Sequence, residues 1–192
     1  WNTVKVLSFS NMFNQAVAFN PGEGFALNWD TSAATTMEKM FTDAFAFVPA
    51  DDFATNWVTT SVVTMENMFG AMGFPGDPEM AFNVGPEFGK NFDTSKVTNF
   101  MDMFRSLTNF VPAEDFASTW VMSSATNLKF MFGKSTGFVP GADDLDFDPG
   151  QGLCLWDLSS MVHSEYGFSI FEDFSGDPSP AVQCKSCVAG TS

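Results

Sequence analysis

Basic residues are scarce in this chain: it has eight Lys and Arg against 23 Asp and Glu in 192 residues, for a net charge of −15. Such an acidic protein would be repelled by nucleic-acid phosphates and by anionic membrane surfaces, which argues against both as partners. The sequence also lacks any run of about 18 apolar residues, the length that a membrane-spanning helix needs. We therefore expect neither nucleic-acid binding nor membrane insertion, and we interpret the acidic exterior as keeping an apolar chain in solution.

Enzyme signatures are almost entirely missing as well. The chain has a single His, His163, and no G-x-S-x-G, Walker, G-x-G-x-x-G or H-E-x-x-H motif. The acidic pairs Asp51-Asp52 and Glu114-Asp115 lie at the same place in a repeated pattern, so they are better explained as solvated loops than as glycosidase carboxylates. We predict that the protein is not an enzyme and requires no cofactor, although Ca²⁺ is considered below.

What the sequence does contain is one pattern repeated six times. Each copy begins with an aromatic residue, and the copies, called repeats 1 to 6 from here on, start at residues 1, 29, 57, 92, 120 and 156. Three of the five steps are 28 residues long, and the two longer steps contain Pro/Gly/Asp-rich insertions that we expect on the surface. A period of this length indicates that each unit buries its apolar face against its neighbours.

Large apolar residues recur at fixed distances from the start of each repeat. A Met-Phe pair lies eleven and twelve residues after the start of repeats 1 to 5. Repeats 1, 2, 4, 5 and 6 have a Phe eighteen residues after the start, at Phe19, Phe47, Phe110, Phe138 and Phe174. Such positions form ladders when repeats stack, and burying each rung is worth roughly 1.5 to 3 kcal/mol. This pattern explains why the chain has 24 Phe and 12 Met.

The remaining positions suggest local structure. Thr94 to Phe100 alternates polar or β-branched residues with apolar ones, which is typical of a short strand. Met65, Met68 and Phe69 have helical i, i+3, i+4 spacing. We therefore predict a leucine-rich-repeat-like repeat solenoid of about six coils over residues 1–174, each coil with a short parallel β-strand plus a short helix or loop. A Cys-containing tail follows at residues 175–192.

Polar residues seven positions after each start are expected to satisfy backbone groups at a turn. These residues are Ser8, Thr36, Thr64, Asn99 and Asn127, and His163 takes the same position in repeat 6. We interpret His163 as one more polar rung and not as a catalytic base.

The repeats resemble those of a known family. The segment from Phe92 to Phe104, F-D-T-S-K-V-T-N-F-M-D-M-F, is similar to the repeat W-D-T-S-x-V-T-x-M-x-x-M-F of BspA-type leucine-rich-repeat surface proteins. The resemblance extends from Trp1 to about Phe174, although the repeats are longer than is usual for that family and two begin with Trp-Val. It implies a curved solenoid displayed outside the cell, used for adhesion or assembly, and supplies no catalytic residue.

The last nine residues carry a second resemblance. Their sequence, C-K-S-C-V-A-G-T-S from Cys184, resembles the C-x-x-C-x-A-G-T opening of extracellular cysteine-rich, EGF-like modules. This resemblance implies that Cys187 pairs with a residue absent from this chain.

The three cysteines, Cys154, Cys184 and Cys187, are compatible with an oxidising compartment. We favour a disulfide between Cys154 and Cys184, which would fasten the last coil and leave Cys187 unpaired or bonded to another chain. An alternative zinc site would add His163, but the spacing C-x8-H-x20-C-x2-C matches no common zinc module.

A cluster of carboxylates lies in the second insertion, at Asp143, Asp144, Asp146 and Asp148. Their alternation suits Ca²⁺, which prefers hard oxygen ligands, but Pro149 stands where an EF-hand needs its turn Gly. The same alternation of Asp with apolar residues is equally typical of an edge strand in which Leu145 and Phe147 are buried. The sequence leaves both interpretations open.

The terminal repeats suggest self-assembly. Repeat 1 carries ladder residues at Trp1, Val6, Phe9 and Phe13 with no polar covering segment ahead of them, and repeat 6 carries Trp156, Phe168 and Phe174. A solenoid with apolar terminal coils invites another chain, and end-to-end docking propagates as a filament. We therefore expect an extracellular structural protein that forms head-to-tail homopolymers. The alternative is a monomeric cell-surface adhesion or glycan-binding domain, whose covering segment was cleaved away or lies outside this chain.

A row of threonines two residues after the start of each repeat, at Thr3, Thr31, Thr59 and Thr94, also resembles ice-binding solenoids. Met122 and Leu158 interrupt the row in repeats 5 and 6. We therefore do not favour ice binding.

Overall fold

The structure is a computed structural model, and it describes residues 1–72, 78, 80–85, 87–107, 110, 113, 115–133 and 155–158. Within these residues no α-helix and no continuous β-strand occurs; the backbone consists of turns, extended residues and isolated bridges. None of the described segments is a helix with the length and apolar character to cross a membrane.

Successive repeats lie parallel and in register. Isolated parallel bridges join the residue seven positions after each start, from Ser8 to Thr36, Thr36 to Thr64, Thr64 to Asn99 and Asn99 to Asn127. The side chains at these positions accept hydrogen bonds from the backbone two residues further on, as Asn99 Oδ1 does from Met101 N at 3.1 Å. The predicted role of this polar row in satisfying turn backbone is confirmed.

Directly after each bridge, a run of backbone hydrogen bonds joins one repeat to the next, and all bonds of this run point in the same direction. Every second N–H of a repeat donates to a carbonyl oxygen of the following repeat. Between repeats 1 and 2 the bonds join Phe9 N to Thr36 O, Asn11 N to Glu38 O, Phe13 N to Met40 O and Gln15 N to Thr42 O, at 2.7 to 3.0 Å. The same four bonds recur between repeats 2 and 3, 3 and 4, and 4 and 5. We call these four rows the one-directional ladder.

The intervening N–H groups close turns within the repeat. Met12 N donates to Phe9 O at 3.3 Å, Asn14 N to Asn11 O at 3.2 Å and Ala16 N to Phe13 O at 3.1 Å. Half of the backbone donors in this segment therefore hold the repeat together and the other half hold it to its neighbour. This division gives each buried N–H a partner without helix or sheet.

The helix predicted from Met65, Met68 and Phe69 is wrong. In repeats 1 to 5 the residue ten positions after the start has a positive φ, and these residues are Asn11, Lys39, Asn67, Asp102 and Phe130, with φ between 49° and 60°. A left-handed residue at this place interrupts any right-handed helix, because an L-residue helix needs negative φ throughout. The strand predicted for Thr94 to Phe100 is likewise reduced to a turn at Ser95 and Lys96 and a single bridge at Asn99.

Stacked aromatic rings form the core. The starting residues make one column from Trp1 through Trp29, Trp57, Phe92 and Trp120 to Trp156, with centroids 5.6 to 6.5 Å apart. A second column runs through Phe13, Phe41, Phe69, Phe104 and Phe132 at 5.2 to 5.7 Å. These columns align the repeats so that like residues pack on like residues.

Two further columns complete the core. Phe19, Phe47, Phe82 and Phe110 form one, and Phe25, Phe53, Phe88 and Phe116 form the other. Phe82 was not predicted as a rung, because the longer repeat 3 displaces it in sequence. The predicted rungs Phe138 and Phe174 lie outside the described residues. The assignment to a leucine-rich-repeat-like solenoid stays a prediction, whereas the parallel contacts between repeats are observed directly.

The threonine row is buried and joins the repeats. The Thr31 hydroxyl accepts from Val58 N at 2.8 Å and donates to Val58 O at 3.0 Å. Thr94 pairs with Val121 in the same way and at the same distances. A hydroxyl serves here because it both donates and accepts. Because the row is buried, it offers no surface to ice.

We predict that Thr94→Val destabilises the chain by about 1 to 3 kcal/mol, because it leaves the N–H and C=O of Val121 without their partner. Thr60→Val, which alters an exposed threonine, should change stability by less than about 0.5 kcal/mol. Urea unfolding curves of the two variants test this, and equal destabilisation would refute the role of the buried hydroxyl.

Tryptophan adds a second bond at the start of repeats 3, 5 and 6. Trp120 Nε1 donates to Gly89 O at 2.9 Å and Trp156 Nε1 donates to Ala117 O at 3.0 Å. Phe92 cannot make the corresponding bond to the carbonyl of Ala54. We predict that Phe92→Trp gains about 1 kcal/mol if the larger ring is accommodated.

The reverse change in the next repeat, Trp120→Phe, should lose a comparable or larger amount. Thermal unfolding of both variants measures the two changes in stability. A loss of stability in both would show that ring volume, and not the hydrogen bond, decides this position.

Candidate self-association face

The outer side of repeat 1 presents ladder residues that other repeats cover. Trp1 is 80% exposed, although it is the same rung as the buried Trp29 and Trp57. Its ring stacks on Trp29 at 5.6 Å and lies nearly parallel to Phe13, with an interplanar angle of 9°. We call the surface formed by Trp1, Val6, Met12 and Phe13 the repeat 1 face.

The sequence-predicted interface residues differ in how far they are exposed. Trp1 is open, and Val6 and Phe13 are half-buried. The prediction that Phe9 belongs to the interface is wrong. Phe9 is only 2% exposed and its ring stacks on Trp29 at 5.5 Å, so it does not contribute to an open face. Met12, the first rung of the Met-Phe pairs, is 37% exposed on the same side.

The predicted residues of the last repeat are described only in part. Trp156 is buried, stacks on Trp120 at 6.2 Å and uses its Nε1 for the bond to Ala117. Phe168 and Phe174 lie outside the described residues.

The repeat 1 face also carries an edge of backbone acceptors. In repeat 2 the carbonyl oxygens of Thr36, Glu38, Met40 and Thr42 accept the one-directional ladder from repeat 1. The equivalent oxygens of repeat 1 belong to Ser8, Ser10, Met12 and Asn14, and no described residue donates to them. Groups of this kind are the usual template for pairing with another chain. The edge fits a segment that presents an N–H at every second residue, as each of repeats 1 to 4 presents to the next.

Polar but uncharged groups surround this face. Asn14 Nδ2 donates to Asn11 Oδ1 at 2.9 Å, and the hydroxyls of Ser10 and Thr36 are 2.9 Å apart. Residues 1–28 contain only two charged side chains, Lys5 and Glu23, which cancel. Since the whole chain carries −15, the neutrality of these residues lowers the electrostatic repulsion that a second copy would meet at this face.

The lateral surface carries charge in rows that cross repeats. Lys39 Nζ lies 2.9 Å from Glu38 and 3.5 Å from Glu66, and Glu66 also accepts from Asn99 Nδ2 at 2.8 Å. The hydrogen bond to Glu38, together with the negative charges of Glu38 and Glu66, raises the pKa of Lys39. This row of charged and polar side chains links repeats 2, 3 and 4 at the surface. Ion pairs at a solvent-exposed surface contribute little to stability.

A shallow acidic depression is lined by Glu23, Gly24, Ala50, Asp51 and Asp52. Across the described part of the chain, no three His, Cys, Asp or Glu side chains are grouped so that they could hold a metal ion.

The predicted calcium ligands Asp143, Asp144, Asp146 and Asp148 lie outside the described residues, as do His163, Cys154, Cys184 and Cys187.

The repeated motif can now be explained residue by residue. In repeat 2, Trp29 is a rung, Asp30 Oδ1 accepts from Ser32 N and Ser32 Oγ at 3.0 and 2.6 Å, and Thr31 bonds to repeat 3. In repeat 4, Asp93 accepts from Ser95 N at 3.0 Å. The motif therefore encodes a rung, a turn and a bond between repeats.

Two stretches of the chain, residues 1–80 and 79–180, match the family described as Mycoplasma protein of unknown function, DUF285. The chain belongs to this family. No curated protein and no solved structure matches it.

We predict opposite pKa shifts for two aspartates. The side-chain and backbone hydrogen bonds from Ser95 lower the pKa of Asp93 below its ordinary value. Burial raises the pKa of Asp102 despite the neighbouring Arg105. The contribution of Asp93 to stability is therefore lost as pH falls, whereas Asp102 favours the folded state more at low pH and less as pH rises through its raised pKa.

Carboxyl ¹³C NMR titration measures both values, with Asp93→Asn and Asp102→Asn as assignment controls. Asp102→Asn should also remove the decline in stability with rising pH that Asp102 causes. A pKa of Asp102 at or below that of Asp93 would contradict the prediction.

Proposed function

We propose that this chain is an extracellular structural protein whose copies join head to tail through the repeat 1 face and form a filament. The observation that carries the proposal is the one-directional ladder, whose acceptor edge on repeat 1 has no donor among the described residues. A second copy would supply N–H donors from its last repeat, with Phe168 and Phe174 as predicted apolar contacts. Because the two surfaces differ, the contact is heterologous and repeats without closing.

The side chains of the repeat 1 face favour the same docking. Trp1 and Met12 are exposed where their counterparts in repeats 2 to 5 are buried, including the Phe that replaces Trp in repeat 4. Burying a large apolar side chain stabilises a contact by roughly 1.5 to 3 kcal/mol. The neutrality of residues 1–28 lowers the electrostatic cost of bringing two acidic chains together.

Membership of the DUF285 family is compatible with the BspA-type surface proteins that the repeats resemble. That resemblance supports a location outside the cell or at its surface. In the same proposal Cys154 and Cys184 form a disulfide and Cys187 links to a neighbouring chain. Ca²⁺ is a proposed ligand of Asp143, Asp144, Asp146 and Asp148, and it is not required for the stacking contact itself.

A second function, glycan binding by a monomeric adhesion domain, is favoured by the open ring of Trp1. The parallel Phe13 ring extends this aromatic surface, and the amides of Asn11 and Asn14 lie in the same repeat. An apolar ring with amide donors and acceptors nearby suits a sugar, which has both a C–H face and hydroxyl groups.

Sedimentation velocity and negative-stain electron microscopy of the unreduced protein test the proposal. We expect polymers whose axial repeat equals one chain. Trp1→Glu should abolish them, because it places a charge in the contact, whereas Val121→Glu, a matched change at an exposed apolar side chain of repeat 5, should leave them intact.

EDTA and a reductant, added separately, report on the proposed Ca²⁺ and Cys187 contributions. Single compact particles of the wild-type chain under all conditions would refute self-assembly. A glycan array would then test the alternative, with Trp1→Glu again as the variant that should lose binding.

A further inference from the structure

Met72 combines an exposed side chain with a sulfur that is held by a hydrogen bond. Its side chain is 45% exposed, and its sulfur accepts a hydrogen bond from Asn67 Nδ2 at 3.4 Å. Because Met72 lies in repeat 3, with repeats 2 and 4 on either side, its exposure is a property of the stack and not of a terminal repeat.

Most other methionines of the described residues are protected from solvent. The following eight are at most 1% exposed: Met37, Met40, Met65, Met68, Met80, Met103, Met122 and Met131. An oxidant in solution reaches an exposed thioether far more readily than a buried one. Met72 is therefore chemically distinct from the methionines of the core.

The hydrogen-bond donor beside the sulfur is held rigidly. Asn67 is only 3% exposed. Its backbone N–H donates to Met101 O at 2.7 Å, and its carbonyl oxygen accepts from the Thr42 hydroxyl at 2.6 Å. These bonds tie Asn67 to repeats 4 and 2, and a buried side chain has few alternative rotamers. The amide of Asn67 therefore stays beside the sulfur of Met72.

The backbone that carries the sulfur is fixed as well. Met72 N donates to Asp43 Oδ1 at 2.8 Å, and the preceding Ala71 N donates to Arg105 O at 2.8 Å. The orientation of the thioether relative to Asn67 is thus set from both sides. A thioether sulfur has two lone pairs, and the Asn67 amide takes one of them, which leaves the second for solvent.

We propose that Met72 is a site of stereoselective oxidation by peroxides. The free lone pair of its sulfur attacks a peroxide oxygen, and an S–O bond forms as the O–O bond breaks. The proton of the attacked oxygen passes to the departing oxygen, which leaves as water or an alcohol. The sulfur loses two electrons and the peroxide gains them. Because oxygen arrives on the side opposite Asn67, one sulfoxide epimer forms where a free methionine gives both.

The oxidised side chain fits the fold. Its new oxygen lies on the side of the sulfur away from the buried Asn67 and is hydrated, so no unpaired polar atom is buried. Oxidation of the fully buried Met68 would bury such an atom. The reaction at Met72 is also reversible by one enzyme, because each methionine sulfoxide reductase acts on a single epimer.

The experiment treats the folded chain with dilute hydrogen peroxide, digests it and locates sulfoxides by tandem mass spectrometry. Met72 should oxidise at least roughly tenfold faster than the buried Met65 and Met68. The digest is then divided between methionine sulfoxide reductases A and B, which reduce opposite epimers. One enzyme should reduce nearly all of the Met72 sulfoxide and the other nearly none, whereas chain oxidised in urea should contain both epimers in similar amounts.

A matched variant tests the role of the amide. Asn67→Gly removes the donor but suits the positive φ of 49° at this position, so its Met72 sulfoxide should be a mixture of epimers. Equal oxidation of Met68 and Met72, or a mixture of epimers from the folded wild type, would overturn the proposal. A single epimer from Asn67→Gly would refute the role of Asn67. These peptide ratios do not depend on whether the chain polymerises.

Discussion

Everything in this structure depends on how the backbone divides its N–H groups between turns and neighbours. Between Phe9 and Ala16, backbone N–H groups that donate to the next repeat alternate with N–H groups that donate within the same repeat. In an α-helix nearly all backbone N–H groups bond within the helix, and in a central β-strand they bond alternately to the two neighbouring strands. The alternation holds each repeat in one shape and joins it to the following repeat through equivalent residues, so the side chains must repeat as well.

That constraint accounts for the unusual interior. Equivalent residues of adjacent repeats face each other, so each core position needs a side chain that packs well against a copy of itself. Flat aromatic rings and flexible methionines meet this requirement. Phe41 shows the pattern, since its ring stacks on Phe13 and Phe69 at 5.2 and 5.7 Å. The threonine row supplies the polar counterpart by binding both backbone groups of one residue in the next repeat.

The sequence was informative where the pattern is set by burial and misleading where it is set by backbone conformation. Trp1 and Phe13 could be placed in columns because their spacing recurs, but the helical spacing of Met65, Met68 and Phe69 arises from successive turns. The left-handed residues that force those turns include Lys39 and Phe130, types with no special preference for positive φ. Phe9 was misplaced as a surface residue because periodicity identifies a rung without showing that Trp29 covers its ring.

The aligned peptide groups have an electrical consequence. Four rows of N–H groups point from each repeat toward the following one, and they are opposed only in part by bonds such as Thr35 N to Leu7 O and Ala46 N to Val17 O. Peptide dipoles aligned in this way add along the stacking axis, as they do along a helix, and leave partial negative charge at repeat 1. An acidic side chain at that end would be disfavoured, and residues 1–22 of this strongly acidic chain contain no Asp or Glu.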